Sequence, residues 1–564
     1  MKGVLALPAT AVVCLLSVAV AARGEYDGSN TTSPIVDLGY AIHRGSLNTT
    51  GEFYSYPNIR YAEAPVGDLR FAKPVAPQTA DATINDGSDS KACPPGYPLW
   101  LLEQIAPSYG VPADILRAAI YSQPSQEDCL FLDVFVPESV QEAVSRGSTD
   151  QVPVLVWIHG GGFTLGSKDA SGPPTGLIQK SAEVADGMIV VSINYRLGMF
   201  GWLVGDPDDA GDTVQNAGLY DQRLALEWVQ THASKFGGDP GRVTVMGESA
   251  GGGSIQHQIT AYGGSIPGGD VPTSRLFAKA IPQSPGFSVT FDIEAQWSMV
   301  IAATSAVAGA TVAEGDVIAT LRGMSEAGAR AVNVAVIEQS SYGRFGFGPT
   351  VDGGIVPDTP AALLGGGRFD KNIKIMAGHN SNEASAFVSR VATSEEFLAV
   401  LPGVLYGAPN DTLDHVATAL YPDDLSGARG YTTQLGRATL LVSELTFTCN
   451  TRYMALARDG LAWSYMFAVP PGHHGDDVPY TFYDGSDPDV VPGLAGKLQE
   501  YIARFAVGGT PNCLLCDLDF FPRYGYFASS IAVLGRAGDA GVDTEHDALD
   551  NERCDYFQDG EWRF

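Results

Sequence analysis

The stretch Val243-Thr-Val-Met-Gly-Glu-Ser-Ala-Gly-Gly-Gly253 joins an apolar, β-branched run to a series of small residues. It contains the pattern Gly-x-Ser-x-Gly, in which a strand turns sharply into a helix and leaves the serine exposed at the tip. Gly247 and Gly251 carry no side chain that would obstruct such a turn. Ser249 is therefore a candidate nucleophile, although a chain with 66 glycines also produces this pentapeptide by chance.

A second glycine-rich stretch, Trp157-Ile-His-Gly-Gly-Gly-Phe163, follows an apolar run upstream of the first. Acyl transfer needs backbone N–H donors beside the nucleophile, and glycines let those groups approach a developing oxyanion without steric cost. We expect the N–H groups of Gly161, Gly162 and Ala250 to be these donors. A plain turn of three glycines is the alternative interpretation.

Length and composition bound the class of protein. The chain has 564 residues with 45% hydrophobic and 17% charged content, enough to bury a large core in one α/β domain or two smaller ones. Its formal net charge of −30 repels polyanions, so neither nucleic acid nor an anionic membrane surface is an expected partner. An acidic, folded chain of this kind is typical of secreted proteins.

The first residues have the features of a secretory signal. Lys2 precedes an apolar run over residues 4–22 that ends in small residues. A membrane anchor is the alternative, but the run is short and interrupted by Pro8. We expect residues 1–22 to be a cleaved signal peptide and the protein to be secreted, without a stable membrane anchor.

The cysteines and sequons are consistent with export. Cys14 would leave with the signal, and an even set of six remains, as expected for disulfides in an oxidising compartment. Three Asn-x-Ser/Thr sequons offer glycosylation sites if the source organism modifies secreted proteins. These sites are Asn30, Asn48 and Asn410.

Apolar runs recur along the chain and alternate with helical patterns. The clearest helical pattern covers Asp221–Phe236, and the acidic, small-residue segment Arg536–Asp550 predicts a solvated surface loop. Continuous apolar strands alternating with helices indicate a mostly parallel sheet covered on both faces. The runs expected to form strands are Leu130–Val136, Val154–Ile158, Met188–Ile193, Val243–Met246, Leu276–Ile281, Ile373–Met376 and Trp463–Phe467.

Further ordered motifs carry a resemblance to a known family. They are Glu127-Asp-Cys-Leu-Phe-Leu132, Asn194-Tyr-Arg-Leu-Gly-Met-Phe-Gly201, Asp221-Gln-Arg223 and Phe236-Gly-Gly-Asp-Pro240, together with the two glycine-rich stretches above. In these motifs the chain resembles the type-B carboxylesterase/lipase family, which contains cholinesterases, animal carboxylesterases and fungal Candida-type lipases and sterol esterases. The resemblance implies an α/β-hydrolase fold over residues 23–564, a single domain with a large, mostly parallel central sheet, helices on both faces and long loop insertions.

The resemblance also implies a Ser-Glu-His triad. Ala377-Gly-His-Asn-Ser-Asn-Glu-Ala-Ser-Ala-Phe387 matches the acid motif and selects Glu383, while Gly472-His-His-Gly-Asp-Asp-Val478 matches the base motif and selects His474. Ser249 would attack the ester carbonyl, with His474 as general base and Glu383 holding its tautomer. The adjacent His473 competes as base, and His379 is expected to be structural. Glu248 and Asp352 could serve as the acid on residue type alone.

Disulfides and ion pairs follow from the same resemblance. It implies the disulfides Cys93–Cys129 and Cys449–Cys554 and the ion pairs Arg70–Glu127 and Arg196–Asp221. Cys513 and Cys516 remain, and we expect a local disulfide between them rather than a thioredoxin-like site, because no strand–helix redox context surrounds them.

The loop 93–129 bears on the substrate. In the fungal lipases and sterol esterases it is a long amphipathic lid, whereas in cholinesterases it carries a choline-binding tryptophan near its end. No tryptophan lies in Leu116–Tyr121 here, which disfavours a choline esterase. We expect a lipase-like lid whose apolar face covers the site or transiently contacts lipid, although these residues could instead simply pack into the core.

The expected function is that of a secreted serine esterase acting on small-molecule or lipid esters with apolar acyl groups. A broad carboxylesterase for short acyl chains is one alternative. Another is a non-catalytic adhesion module of the same fold, but such modules typically lack triad residues, and all three are present here. No metal-ligand spacing or nucleotide-binding loop occurs in the sequence, so we expect no metal and no cofactor.

Overall fold

The computed structural model describes residues 33–88, 91–204, 212–264, 276–287, 289, 293–458, 460–513, 515–525 and 528–560. The expected signal peptide, residues 1–22, and the sequon at Asn30 lie outside the described residues. Of the other sequons, Asn48 accepts hydrogen bonds from the N–H groups of Thr50 and Gly51 at 3.1 and 2.9 Å. Asn410 is exposed at the start of a short helix.

The strands occur in two sheets. In chain order they are β1 (Ile35–Asp37), β2 (Ile42–Arg44), β3 (Ser46–Asn48), β4 (Phe53–Arg60), β5 (Ile84–Asn85), β6 (Phe131–Pro137), β7 (Val152–Ile158), β8 (Ile189–Ile193), β9 (Gly238–Glu248), β10 (Lys279–Gln283), β11 (Lys374–Asn380), β12 (Ala462–Phe467), β13 (Arg523–Tyr524), β14 (Ser530–Leu534) and β15 (Val542–His546). Strands β1, β2 and β5 form a small sheet, and the others form a 12-stranded sheet.

The large sheet is mostly parallel, as predicted. Its strand order is β15-β14-β12-β11-β10-β9-β7-β8-β6-β4-β3, with β13 beside β12. The run from β14 to β8 is parallel throughout. Antiparallel strands border this run, namely β15 on one side and β6, β4 and β3 on the other.

Helices connect the strands of the large sheet. They are α1 (Leu99–Ile105), α2 (Ala113–Tyr121), α3 (Glu138–Ser145), α4 (Thr175–Val184), α5 (Gly198–Trp202), α6 (Ala217–His232), α7 (Ala250–Thr260), α8 (Ile293–Ala308), α9 (Val317–Gly323), α10 (Glu326–Ile337), α11 (Pro360–Gly365), α12 (Ser394–Val404), α13 (Asn410–His415), α14 (Gln434–Ser443), α15 (Cys449–Ala457), α16 (Val478–Thr481), α17 (Pro492–Gly508) and α18 (Glu552–Asp559).

Strand β7 shows why the sheet is buried on both faces. Successive side chains of a strand point to opposite faces. Val154, Val156 and Ile158 pack in one apolar cluster with residues of α6, whereas Leu155 and Trp157 pack in another with residues of α17. Every residue of β7 is buried. The continuous apolar run in the sequence is therefore the signature of a strand covered by helices on both sides.

Two expectations about local structure need correction. The helix expected over Asp221–Phe236 begins earlier, at Ala217, and its last turn, Ala233–Phe236, is a 3₁₀ helix. The segment Arg536–Asp550 is not only a loop, since Val542–His546 forms β15 and pairs with β14. An edge strand has one open side and can carry charged residues, as in the ion pair between Arg536 and Glu545, so the sequence shows no apolar alternation there.

The covalent and ionic links implied by the family resemblance are present. Disulfides join Cys93 to Cys129 and Cys449 to Cys554, and Cys513 is bonded to Cys516. The buried ion pairs Arg70–Glu127 and Arg196–Asp221 are both bidentate. Within the residues that the structure describes, no helix is both long and apolar enough to cross a membrane.

Candidate active site

Ser249 lies on the turn between β9 and α7. Its φ of 57° and ψ of −121° are unusual for a residue with a side chain, and a strained turn of this kind presents the serine hydroxyl above the sheet. A Cβ on Gly247 would lie 2.6 Å from the carbonyl oxygen of Ile158, and one on Gly251 would overlap the same carbonyl. The two glycines are therefore required by the close approach of β7 to the turn.

Backbone hydrogen bonds hold the strained turn in place. The N–H of Ser249 donates to the carbonyl of Gln283 at 3.0 Å, and the N–H of Gly286 donates to the carbonyl of Ser249 at 3.1 Å. Both partners belong to the chain at the end of β10, the neighbouring strand. Ser249 is thus fixed by the chain that follows the adjacent strand as well as by the helix that follows it.

The glycine-rich loop after β7 lies beside this turn. Gly161 and Gly162 have φ values of 109° and 58°, which residues with side chains rarely adopt. Within the described residues, the N–H groups of Gly161, Gly162 and Ala250 donate to no protein acceptor. Gly161 and Ser249 line the same cavity, of about 40 Å³, which we call the small pocket. Of the expected oxyanion donors, Gly161 thus lines the cavity of the serine, and Ala250 follows the serine directly in the chain.

Glu383 and His474 are directly bonded. The Nδ1 atom of His474 lies 2.6 Å from Oε2 of Glu383, which is fully buried. The other carboxylate oxygen, Oε1, accepts from the hydroxyl of Ser284 and from the N–H of Asn380, both at 2.6 Å. Burial acts to raise the pKa of Glu383, but the histidine and these hydrogen bonds outweigh it and hold the pKa below its ordinary value.

The imidazole of His474 also lies near Glu248. Its Nε2 atom is 3.2 Å from Oε1 of Glu248, and both residues line the small pocket with Ser249. Burial lowers the pKa of the imidazole, yet the two carboxylates together raise it above its ordinary value. Burial raises the pKa of Glu248. The imidazole of His474 is therefore held between two buried carboxyl groups in a water-poor environment.

Of the competing candidates, Glu248 lies in the small pocket beside Nε2 of His474, whereas the others occupy other positions. The N–H of His473 donates to Asp476 at 2.7 Å, and its ring has no hydrogen bond to Glu383. His379 is buried within β11. Asp352 accepts bonds from Asn216 and from backbone N–H groups of its own turn. Among the described residues, the geometry thus favours His474 as base and Glu383 as its acid partner.

Sequence analysis missed the polar residues that surround Glu383 and its neighbours. Ser284 directly follows β10, and Asp477 accepts from Gln283 at 2.9 Å, Tyr465 at 3.1 Å and Asn380 at 3.2 Å. Ser284 could have been found from the strand order, because the end of β10 lies between the strands that carry Ser249 and Glu383. The carboxyl ends of neighbouring parallel strands meet at one edge, so a hydroxyl at that point faces the site.

Aromatic side chains cover the other side of His474. The ring centroids of Phe447 and Phe387 lie 4.3 and 5.3 Å from that of the imidazole. Phe287 lies 5.2 Å from Phe447 and 5.0 Å from Phe345, and Trp100 lies 5.7 Å from Phe345. We call Trp100, Phe287, Phe345, Phe387 and Phe447 the aromatic wall. The site therefore has a polar side, the small pocket, and an apolar side, the aromatic wall.

The loop 93–129 contributes Trp100 to the aromatic wall and is held in place by polar contacts. Its Trp100 donates from the indole N–H to the carbonyl of Arg344 at 2.8 Å, and Gly96 donates to the carbonyl of Thr164 at 2.8 Å. Arg117 in α2 forms a bidentate ion pair with Glu338. Ser249 is only 4% exposed. The loop thus packs against the apolar side of the site through Trp100.

Comparisons with known proteins identify the relatives and the fold of the chain. Carboxylesterase patB from Aspergillus clavatus is 38% identical over 93% of this chain and 96% of its own length. Lipase 1 from Geotrichum candidum is 32% identical over 82% and 85%. A thermophilic PNB esterase structure superposes with a TM-score of 0.70 at 26% identity, covering 93% of this chain and all of that chain. The structure of EstA from Aspergillus niger, at 24% identity, has the same fold with a TM-score of 0.76 over 94% and 99%.

The match to the family extends along most of the chain. Residues 32–528 correspond to the Carboxylesterase family, and the structural neighbours are esterases with the α/β-hydrolase fold. The relatives include esterases and lipases from fungi. With the fold and the esterase relatives in agreement, the chain belongs to the carboxylesterase family and is a carboxylic ester hydrolase.

Proposed function

We propose that the protein hydrolyses esters through an acyl-enzyme on Ser249, with His474 as base, Glu383 as its orienting acid and the N–H groups of Gly161, Gly162 and Ala250 as oxyanion donors. One observation carries the proposal. A 2.6 Å bond joins His474 to a buried, ionised Glu383, and His474 lines the same pocket as Ser249 and Gly161. Such a constellation is defined by geometry and roles rather than by sequence position.

In the first half of the reaction, Nε2 of His474 takes the proton of the Ser249 hydroxyl as its oxygen attacks the ester carbonyl carbon. The oxyanion forms beside the free N–H groups of the glycine-rich loop. The imidazolium then gives its proton to the departing alkoxide oxygen. In the second half, a water molecule loses a proton to His474, attacks the acyl carbon and releases the carboxylic acid with Ser249 restored.

The two sides of the site accommodate the two parts of the ester. The leaving oxygen must reach Nε2 of His474, and that atom faces Glu248 in the small pocket. The alcohol part is therefore placed towards the small pocket. The acyl part then extends towards the aromatic wall, where rings favour apolar groups.

The cover over the aromatic wall supports a lipase-like enzyme with the loop 93–129 as its lid. The inner residues Leu101 and Leu102 are buried with the aromatic wall, whereas Leu99 and Ile115 are 43% and 54% exposed on the outer surface. Opening of the loop 93–129 would expose Phe345 and Phe387 to an apolar acyl chain. Apolar residues on the outer surface favour transient contact with a lipid interface.

We also propose that the protein is secreted and that residues 1–22 are removed. The apolar segment after Lys2, the disulfides and the secreted lipases among the relatives support this. Mass spectrometry of the protein from the culture medium of its host would give the mature N-terminus. Protein retained in the cells with Met1 intact would contradict export.

The catalytic proposal is tested by hydrolysis of p-nitrophenyl acetate, butyrate, laurate and palmitate. Wild type is expected to hydrolyse the longer esters well, and Ser249→Ala is expected to lose at least about 10³-fold in kcat. The matched control is Ser254→Ala, which alters a buried serine of the same helix that bonds to Gln222. A preference for acetate would instead indicate a short-chain carboxylesterase. Inactivity of wild type on every ester would favour a binding module.

A further inference from the structure

A buried lysine follows the glycine-rich loop after β7. Lys168 is only 3% exposed, and the proposed reaction makes no use of it. Its Nζ atom donates to Oδ2 of Asp133 in β6 at 2.8 Å and to the two carboxylate oxygens of Asp169 at 2.9 and 3.1 Å. Because burying two charges is costly, such an ion pair adds little net stability, but removal of one partner leaves the other charge buried and unpaired.

The loop before the lysine is a closed turn. The carbonyl of Gly161 accepts from the N–H groups of the residues three and four positions later, at 3.1 and 3.0 Å. At Gly166 the chain returns to the start of the loop, since a Cβ there would lie 2.5 Å from the carbonyl oxygen of Gly160. The turn therefore ends two residues before Lys168, and a shift of the lysine is passed back to Gly161.

The small pocket is lined from both sides of the lysine. We call residues 160–171 the donor segment. Its members that line the small pocket together with Ser249 are Gly160, Gly161, Leu165 and Gly166 before the lysine and Ala170 and Ser171 after it. The lysine thus fixes the middle of a segment that forms one wall of the small pocket.

The groups that hold the lysine are themselves fixed to the large sheet. Oδ1 of Asp133 accepts from the backbone N–H of Asn58 in β4 at 2.7 Å. The backbone N–H of Lys168 donates to Oδ1 of Asn194, which directly follows β8, at 2.8 Å. The amide of Asn194 in turn donates to the carbonyl of Cys129 at 3.1 Å. The donor segment is therefore anchored through both the main chain and the side chain of Lys168.

We propose that the ion pair between Lys168 and Asp133 is the positioning element that keeps the N–H group of Gly161 aligned with the oxyanion. This inference rests on the proposed function, in which Gly161 is an oxyanion donor. Neither Lys168 nor Asp133 is among the described residues that line the small pocket, so both act through the backbone of the donor segment. Because the oxyanion forms only during the reaction, loss of the pair should lower kcat and leave KM nearly unchanged.

The test compares Asp133→Asn and Lys168→Met with wild type on p-nitrophenyl acetate. Asp133→Asn keeps the shape of the side chain but leaves the lysine only Asp169, whose side chain is 43% exposed, so the donor segment is expected to shift outwards. Each variant is expected to lower kcat about tenfold, with KM within about twofold of wild type.

A transition-state analogue gives a second measure of the same alignment. The oxygen of Ser249 adds to the carbonyl carbon of an aryl trifluoromethyl ketone, its proton passes to His474, and the former carbonyl oxygen becomes an oxyanion. The inhibition constant of this ketone is expected to rise about tenfold in each variant, in parallel with the fall in kcat. An inhibition constant does not depend on how much of the preparation is folded.

The matched controls repeat both substitutions away from the donor segment. Asp547→Asn alters a similarly buried carboxylate that accepts from the hydroxyl of Tyr524 at 2.9 Å. Lys279→Met alters a buried lysine at the first residue of β10. Both variants are expected to keep the kcat of wild type and its inhibition by the ketone.

The double variant Asp133→Asn/Lys168→Met separates positioning from stability. Removal of both charges should restore the Tm that the single variants lose, whereas kcat should stay low because no ion pair holds the donor segment. The double variant therefore gives a result even where a single variant fails to fold. Recovery of kcat together with Tm, or a kcat in the Asp133 variant equal to that of the Asp547 control, would overturn the positioning role. Wild type that neither hydrolyses p-nitrophenyl acetate nor is inhibited by the ketone would instead defeat the proposed function.

Discussion

The Nε2 atom of His474 lies 3.2 Å from Oε1 of Glu248, on the opposite side of the ring from its 2.6 Å bond to Glu383. The proposed base is therefore held between two buried carboxylates. Glu383 orients the ring through Nδ1, whereas Glu248 stands at the nitrogen that must exchange a proton with Ser249 and with the leaving alcohol. The arrangement favours the protonated, imidazolium form of His474. That form is stabilised in the charged intermediate, but the ring must lose its proton before each turnover can begin.

The pH profile of activity follows from this position. Burial lowers the pKa of His474, but Glu248 and Glu383 raise it above its ordinary value. A general base must be neutral, so kcat/KM is expected to rise as the pH increases through that pKa. Glu248→Gln removes one raising charge and should move the rise to lower pH by roughly one pH unit. The measurement is kcat/KM for p-nitrophenyl acetate between pH 5 and about 10.

The control for this profile is Glu227→Gln, which alters an exposed carboxylate on α6. This variant should leave the pH at which kcat/KM rises the same as in wild type. A Glu248→Gln profile that coincides with that of wild type would show that Glu248 does not set the protonation of the base.

The hydroxyl of Ser284 is expected to matter for turnover. It donates to Oε1 of Glu383 at 2.6 Å, which stabilises the ionised carboxylate and fixes its orientation. Ser284→Ala should lower kcat about tenfold with little change in KM, because the acid is displaced while the substrate surfaces remain. Ser385→Ala is the control, since that hydroxyl donates to the carbonyl of Asn382 instead. Equal kinetics in the two variants would contradict the expected role of Ser284.

Two glycines with positive φ allow the oxyanion loop to be tested. Gly162 has φ of 58°, and a Cβ there would overlap the ring of Phe345. Gly172 has φ of 73° with nothing within 4 Å of a Cβ. Gly162→Ala should lower kcat about 100-fold, because the loop must shift to relieve the clash with Phe345 and its N–H groups then lose their alignment. Gly172→Ala carries similar backbone strain without the clash, so it should retain activity, and a comparable loss there would point to strain alone.

If the loop 93–129 acts as a lid, the rate of ester hydrolysis should increase at lipid interfaces. Hydrolysis of p-nitrophenyl butyrate by wild type should rise steeply where the ester exceeds its solubility, because an interface favours the open loop. Arg117→Gln breaks the ion pair with Glu338 and should raise the rate below that threshold by a factor of about two to five, as expected for a partly exposed pair. Arg146→Gln, in an exposed pair within α3, is the control. A flat response across the threshold would contradict a lid.

Sequence analysis was most successful where residues interact with near neighbours. The run Val154–Ile158 predicted a strand because each of its side chains is apolar, and β7 is buried on both faces. Glu383 and His474 were identified by family motifs, and the structure brings them within 2.6 Å of each other although 91 residues separate them. Periodicity alone would not have paired them.

What could not be predicted depends on contacts between distant segments. Phe447 looks like any buried helical aromatic, since its contact with the imidazole of His474 has no local signature in the sequence. Ser284 gains its role from a carboxylate 99 residues away. Strand β15 is stabilised by its pairing with β14, and its own sequence, Val-Asp-Thr-Glu-His, carries no apolar alternation.

The strand order has a consequence for how this protein can be redesigned. Ser249, Ser284 and Glu383 follow the ends of β9, β10 and β11 within three residues, and His474 follows β12. These four strands are successive parallel neighbours. The proposed reacting groups are therefore anchored to the scaffold, whereas residues 394–443 form a long excursion between β11 and β12 that supplies none of them. Replacing most of that excursion with the corresponding segment of another family member should leave Ser249, Ser284, Glu383 and His474 in register.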